Sequence, residues 1–174
     1  MIFSFKQFIV KTTLVAVLVA MGLQAKAQTN SQSTRYNYFF LEAIRQQEMG
    51  NLAAAFDLLN HARDIPNAPE VYYEIAGYYI DMQNGKAARY YFEKAAELAP
   101  DNPAYLEKLG QFYISQANYE QALAAYERLY ANNKTREDVL QILYQLYGSQ
   151  NNYKKMIEVI ERMEMLLGSS EQLS

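Results

Sequence analysis

A step of 34 residues runs through this chain and limits what it can fold into. Ile75, Leu109 and Leu143 are separated by that step, and so are Tyr79, Tyr113 and Tyr147. Asn84, Asn118 and Asn152 keep it, as do Phe92, Tyr126 and Ile160. An earlier copy fits with one residue deleted, Asn51 lying 33 before Asn84. One period, Pro103 to Arg136, carries Leu109, Phe112, Tyr113 and Gln116, then a turn at Ala117-Asn118, then Leu123, Tyr126, Leu129 and Tyr130. Both stripes have helical spacing, so each period is two amphipathic helices joined by a short turn. A hairpin that small cannot cover its own apolar flank, and successive copies must stack.

The copies are expected at 36–68, 69–102, 103–136 and 137–170, with 171–174 opening a fifth. Turns are expected at Gly50-Asn51, at Gln83 to Gly85, at Ala117-Asn118 and at Asn151-Asn152. Pro66, Pro69, Pro100 and Pro103 are all the prolines, and each falls at a junction between copies. Proline ends a helix or occupies its first turn, where no amide partner is lost. Three copies pair small residues across the hairpin: Ala43 with Ala55, Ala76 with Ala88, Gly110 with Ala122. The fourth has Tyr144 with Met156, which predicts wider separation or a changed crossing of its helices.

This pattern resembles the tetratricopeptide repeat family. Leu109-Gly110 followed by Tyr113 matches the family's apolar, small, two residues, aromatic pattern, and Ile75-Ala76 followed by Tyr79 matches it nearly as well. Later family positions appear as Ala88, Phe92, Ala95 and Pro100, then as Ala122 and Tyr126, with Leu129 and Lys134 departing from the usual Ala and Pro. Glu42 and Gln46 replace the Leu and aromatic of the first copy, as suits a terminal repeat with one face in water. The resemblance covers about residues 36 to 170. It implies an all-α, right-handed superhelical solenoid of about four repeats whose first helices line a concave groove. The groove positions it implies are Phe40, Ile44 and Gln47; Tyr73, Gly77 and Ile80; Glu107, Gln111 and Ile114; and Gln141, Gln145 and Gly148. One end is apolar and the other rich in amides, which suits an extended peptide or a partner helix. The alternative for Tyr73 and Ile80 is packing between repeats. The family's grip on chaperone C-terminal carboxylates uses Lys, Arg and Asn, and these positions hold neither Lys nor Arg.

Residues 1–27 read as a secretory signal peptide. Lys6 and Lys11 form the positive flank, Thr12 to Leu23 the uncharged, mostly apolar run, and Ala25-Lys26-Ala27 the cleavage signal, placing the cut before Gln28. The alternative is an uncleaved anchor from Phe8 to Leu23 with Lys11 inside the span. Residues 28–35 read as a polar, flexible leader. An exported protein in the periplasm or envelope of a bacterium is expected.

Composition excludes several function classes. Without cysteine there is no disulfide, thiol nucleophile, cysteine-rich zinc site or lipid-modified Cys. The net charge is −3, and residues 1–27 hold three lysines and no acid, so the remainder is more acidic still. Nucleic-acid binding is not expected of such a chain. His61 is the one histidine and reads as a surface residue; the enzymatic alternative is a hydrolase built around it. Glu158, Glu161 and Glu164 could suggest a metal site, but Lys154 and Arg162 among them read as a solvated helix face. Asn133-Lys134-Thr135 matches a glycosylation acceptor, a pattern common by chance.

No catalytic residue, cofactor or metal is therefore expected, and the reading is a scaffold for a protein or peptide partner. The last helix offers Met156, Ile157, Val159, Ile160, Met163, Leu166 and Leu167, more apolar surface than one neighbour can cover. The expectation is that another chain binds there, a second copy included, or that the chain is the N-terminal part of a longer array; the alternative function is an N-terminal sensory or assembly module of a longer envelope protein.

Overall fold

A computed structural model describes residues 32–65 and 68–171, and every described element is a helix or a turn. The expected signal peptide and the cut before Gln28 lie outside the described residues. Eight helices follow one another: α1 (32–48), α2 (Leu52–Arg63), α3 (Pro69–Asp81), α4 (Gly85–Leu98), α5 (Pro103–Ser115), α6 (Tyr119–Asn132), α7 (Glu137–Ser149) and α8 (Tyr153–Glu171). They divide into two compact units, the first ending at Pro66 and the second starting at Asn67.

In the first unit, α1 begins at residue 32, inside the stretch read as leader. Ala43, Ala55, Leu59 and Ala62 are fully buried. Glu42 and Gln46, which break the apolar pattern, belong to a polar chain instead. Asn51 donates to Gln46 at 2.8 Å, Gln46 donates to Glu42 at 2.8 Å, and Arg45 pairs with Glu42 through Nε at 2.8 Å. The bonds from Arg45 and Gln46 hold the Glu42 carboxyl down at about 2.

In the second unit each helix packs on the next, α3 on α4 through to α7 on α8. Ile75, Phe92, Leu106, Tyr126, Leu129, Leu140, Leu143 and Val159 are shielded from water. They are drawn from all six helices of the unit. Each such side chain contributes about 1.5–3 kcal/mol on burial. Pro69 and Pro103 occupy the first turns of α3 and α5. Asn102 caps α5 by accepting from the amide of Ala104 at 3.0 Å, and Asn84 caps α4 by accepting from Ala87 at 3.1 Å. The α7–α8 backbones approach at fewer places than those of α3–α4 or α5–α6, the direction expected from losing both small residues at Tyr144 and Met156.

All four hairpin turns share one geometry. Gly50, Gln83, Ala117 and Asn151 have positive φ, between 54° and 79°. The amide of the following Asn donates back five residues: Asn84 to Tyr79 at 2.8 Å, Asn118 to Tyr113 at 2.9 Å, Asn152 to Tyr147 at 2.9 Å, and Asn51 to Gln46 at 2.9 Å. The positive-φ residue donates back three, as Gln83 does to Ile80 at 2.8 Å. This is the Schellman motif, which satisfies carbonyls left over at a helix end.

Candidate partner-binding face

The first helices of the second unit's hairpins, α3, α5 and α7, position most of the groove residues. On each, one stripe is buried and holds the helix in the stack: Ile75 in α3, Leu109 in α5, Leu143 in α7. The groove positions lie off that stripe. Gln111, Gln141 and Gln145 are exposed, Ile80 is 42% exposed, and Ile114 is half-buried. Gln141 donates to Glu137 at 3.3 Å within its own helix.

Tyr73 and Glu107 are engaged elsewhere. The Tyr73 ring lies 5.2 Å from that of Tyr105 and 5.9 Å from that of Phe92, in the seam where α3, α4 and α5 meet. Burial raises the pKa of its hydroxyl. Glu107 accepts from the Arg136 guanidinium at 3.1 Å, and Arg136 also pairs with Asp138. Phe40 and Ile44 belong to the first unit; both are half-buried, and Phe40 stacks on Tyr36 at 5.7 Å.

Several of these residues line recesses. Ile80 borders one of about 290 Å³ with Phe112 and Gln116. That recess shares Gly85, Phe112 and Gln116 with a second, of about 380 Å³, edged by Lys86 and Arg89. Gln141 and Gln145 line a third, of about 270 Å³, with Tyr144, Ile160 and Met163. Ile80 thus borders one recess and Gln141 with Gln145 another, while Lys86 and Arg89 edge the recess that adjoins that of Ile80.

Sequence reasoning did not find Lys86, Arg89 or Arg136. The first two were readable from the period, since the third repeat has Glu120 and Leu123 at their positions, and Tyr119 where the second has Gly85. Arg136 pairs with a residue 29 positions away, and no local pattern reveals that. His61 is exposed, its ring stacked on Phe39 at 5.5 Å. Among the described residues, no three His, Asp or Glu side chains group so as to hold a metal ion, and no helix is long and apolar enough to cross a membrane.

The sequence model of the tetratricopeptide repeat family matches residues 79–146. No curated protein matches the sequence. Solved structures share the fold at low identity. A crystal structure of MamA is 15% identical with a TM-score of 0.63, over 84% of this chain and 86% of that one. A tetratricopeptide repeat protein from Parabacteroides merdae is 18% identical with a TM-score of 0.64, over 74% of this chain and 52% of that one. The first such domain of Spaghetti (RPAP3), bound to the HSP90 peptide SRMEEVD, is 16% identical with a TM-score of 0.58, over 68% of this chain and 95% of that one. The matched segment, the repeated turn geometry and these folds agree: residues 79–146 match the tetratricopeptide repeat family, and the chain shares the fold of solved tetratricopeptide repeat proteins.

Proposed function

We propose that this chain is a protein-binding scaffold, not an enzyme, and that it takes an extended peptide or partner helix along α3, α5 and α7. One observation carries the reading. Ile80, Gln111 and Gln145 stand exposed on helices whose opposite stripe is locked in the core, so the face is formed before any partner arrives. Binding to a preformed face avoids the ordering cost on the scaffold. Ile80 would meet an apolar side chain, and the glutamines would meet backbone groups, each offering a donor and an acceptor. The Spaghetti domain bound to an HSP90 peptide shows that the fold can hold a peptide, which supports the general mode. A grip on a C-terminal carboxylate through Arg136 is not proposed, because Arg136 is occupied by Glu107 and Asp138.

The reading includes the right-handed superhelical course implied by the family, and export. Export rests on Lys6 and Lys11, the run from Thr12 to Leu23 and Ala25-Lys26-Ala27. Mass spectrometry of the protein isolated from its host should find Gln28 at the N-terminus; an intact Met1 would overturn export with cleavage.

Affinity capture from the host, with Ile80→Ala and Gln145→Ala beside the wild type, tests the binding face. Both variants should recover several-fold less partner, while Arg128→Ala on α6 should recover as much as the wild type. Equal recovery by all the variants would refute the assignment.

A further inference from the structure

Along α8, Tyr153, Ile157, Ile160, Glu164 and Leu167 follow one another at steps of four, three, four and three residues, the spacing of a coiled-coil seam. Tyr153 is 67% exposed, Ile157 57%, Ile160 40% and Leu167 59%. The packed side of α8 is another face, with Val159 fully buried and Met156, Arg162, Met163 and Leu166 half-buried. One period earlier the register of Ile157 and Ile160 is held by Leu123 and Tyr126, which are 8% and 1% exposed where α6 packs on α7. On α6 this face is covered by α7, and on α8 it is exposed among the described residues.

The charges beside the stripe indicate what covers it. Lys154 flanks its N-terminal half and Glu161 its C-terminal half on the same edge, while Glu164 interrupts the stripe. Glu161 and Glu164 join no ion pair among the described residues. Lys154 lies near Glu158, whose ion pair is with Lys155 at 2.6 Å. A parallel copy of α8 would set Glu164 against the partner's Glu164 inside the seam. An antiparallel copy sets Lys154 against the partner's Glu161 and Tyr153 against the partner's Glu164, with Ile157 and Ile160 packing on each other at the centre. A tyrosine donating to a glutamate already joins helices twice in this chain, Tyr113 to Glu93 and Tyr147 to Glu127.

We propose that a second copy of this chain covers the exposed stripe, α8 packing antiparallel on α8 about a two-fold axis near Glu158. Such an interface is self-complementary: each contact occurs twice. It adjoins the α7 end of the partner face, since Ile160 borders the recess that Gln141 and Gln145 line, but it is tested on the purified chain with no other partner present.

Light scattering on the purified full chain over a concentration series tests this. The wild type should pass from monomer to dimer. Lys154→Glu and Glu161→Lys each place like charges together twice, and each should raise the dimer dissociation constant about tenfold or more. Neither alters a buried residue, so circular dichroism should be unchanged. An equimolar mixture of the two variants restores both opposite-charge contacts and should dimerise as the wild type does. A monomeric wild type, as expected if another protein or a further helix covers the stripe, would overturn the proposal. So would a dimer indifferent to both reversals, or a mixture no tighter than either variant alone.

Discussion

Tyr147 donates its hydroxyl to Oε1 of Glu127 at 2.9 Å, joining α7 to α6 across 20 positions of sequence. Tyr113 donates to Glu93 at 2.6 Å by the same step one period earlier, joining α5 to α4. The bond belongs to the repeat itself and ties the first helix of one hairpin to the second helix of the hairpin before it. Glu127 also receives Arg162 of α8 at 2.9 Å, and that guanidinium lies 5.3 Å from the Tyr130 ring. One carboxylate therefore joins α6, α7 and α8.

Tyr147→Phe keeps the ring and removes the donor, so it should cost about 1 kcal/mol. Glu127→Ala removes the acceptor of both Tyr147 and Arg162 and should cost more, about 1–2 kcal/mol, held down because the Arg162 pair is partly exposed. Urea unfolding measures both, and equal losses would show that the Arg162 contact adds nothing.

Gln83 and Ala117 occupy the left-handed region at φ 57° and 54°, where a Cβ is unfavourable. Gln83→Gly and Ala117→Gly should therefore stabilise the chain by about 0.5–1 kcal/mol each, and Gly50→Ala should do the reverse. Thermal melting decides this, and a lower melting temperature for Ala117→Gly would count against the turn geometry.

Gly110 marks a close approach of α5 to α6. A Cβ there would lie 2.7 Å from Cε2 of Tyr126, a ring that is 1% exposed and cannot swing aside. Gly110→Ala should destabilise the chain by about 1–3 kcal/mol despite its better helix propensity. Gly77→Ala meets nothing within 4 Å and should be neutral or stabilising. Denaturant midpoints of the pair provide the comparison, and a stable Gly110→Ala would show that α5 and α6 lie farther apart.

Alkaline pH should loosen the stack. Burial pushes the hydroxyls of Tyr126 and Tyr147 up to about 12, and the bond to Glu127 adds to the shift at Tyr147. Tyr113 is raised further, by burial and then by its bond to Glu93. A folded pKa above the unfolded value of about 10 means that the native state holds its proton longer. The stabilisation is fully present below pH 10 and is lost as pH rises from about 10 through 12. Ultraviolet titration should show a late-ionising class of tyrosines, with unfolding free energy falling over the same interval. Ionisation of every tyrosine together near 10, with no change in stability, would be the opposite result.

Much of the fold was legible because a stacked hairpin must repeat its contacts. Ile75, Leu109 and Leu143 are equivalent in sequence because they are equivalent in the core, and Asn84, Asn118 and Asn152 because each follows the residue that closes a helix. Three features were not legible. Positive φ at Gln83 and Ala117 carries no glycine signal. The start of α1 lies in a polar stretch without periodicity, where helix extends from the amphipathic segment that follows. Register leaves Tyr73 between the groove and packing between repeats, and its ring reaches Tyr105 on the next hairpin, as a long amphipathic side chain can. Arg136 illustrates the same limit, since its pairing with Glu107 depends on how α5 and the α6–α7 junction meet.

The binding face can be tested in the host cell with a photoreactive amino acid placed singly at Gln111, Gln145 or Arg128. Gln111 and Gln145 lie on α5 and α7, whereas Arg128 is exposed on α6. The account predicts crosslinks to one and the same partner from Gln111 and Gln145 and none from Arg128. A partner captured from Arg128, with nothing from the two glutamine positions, would contradict it.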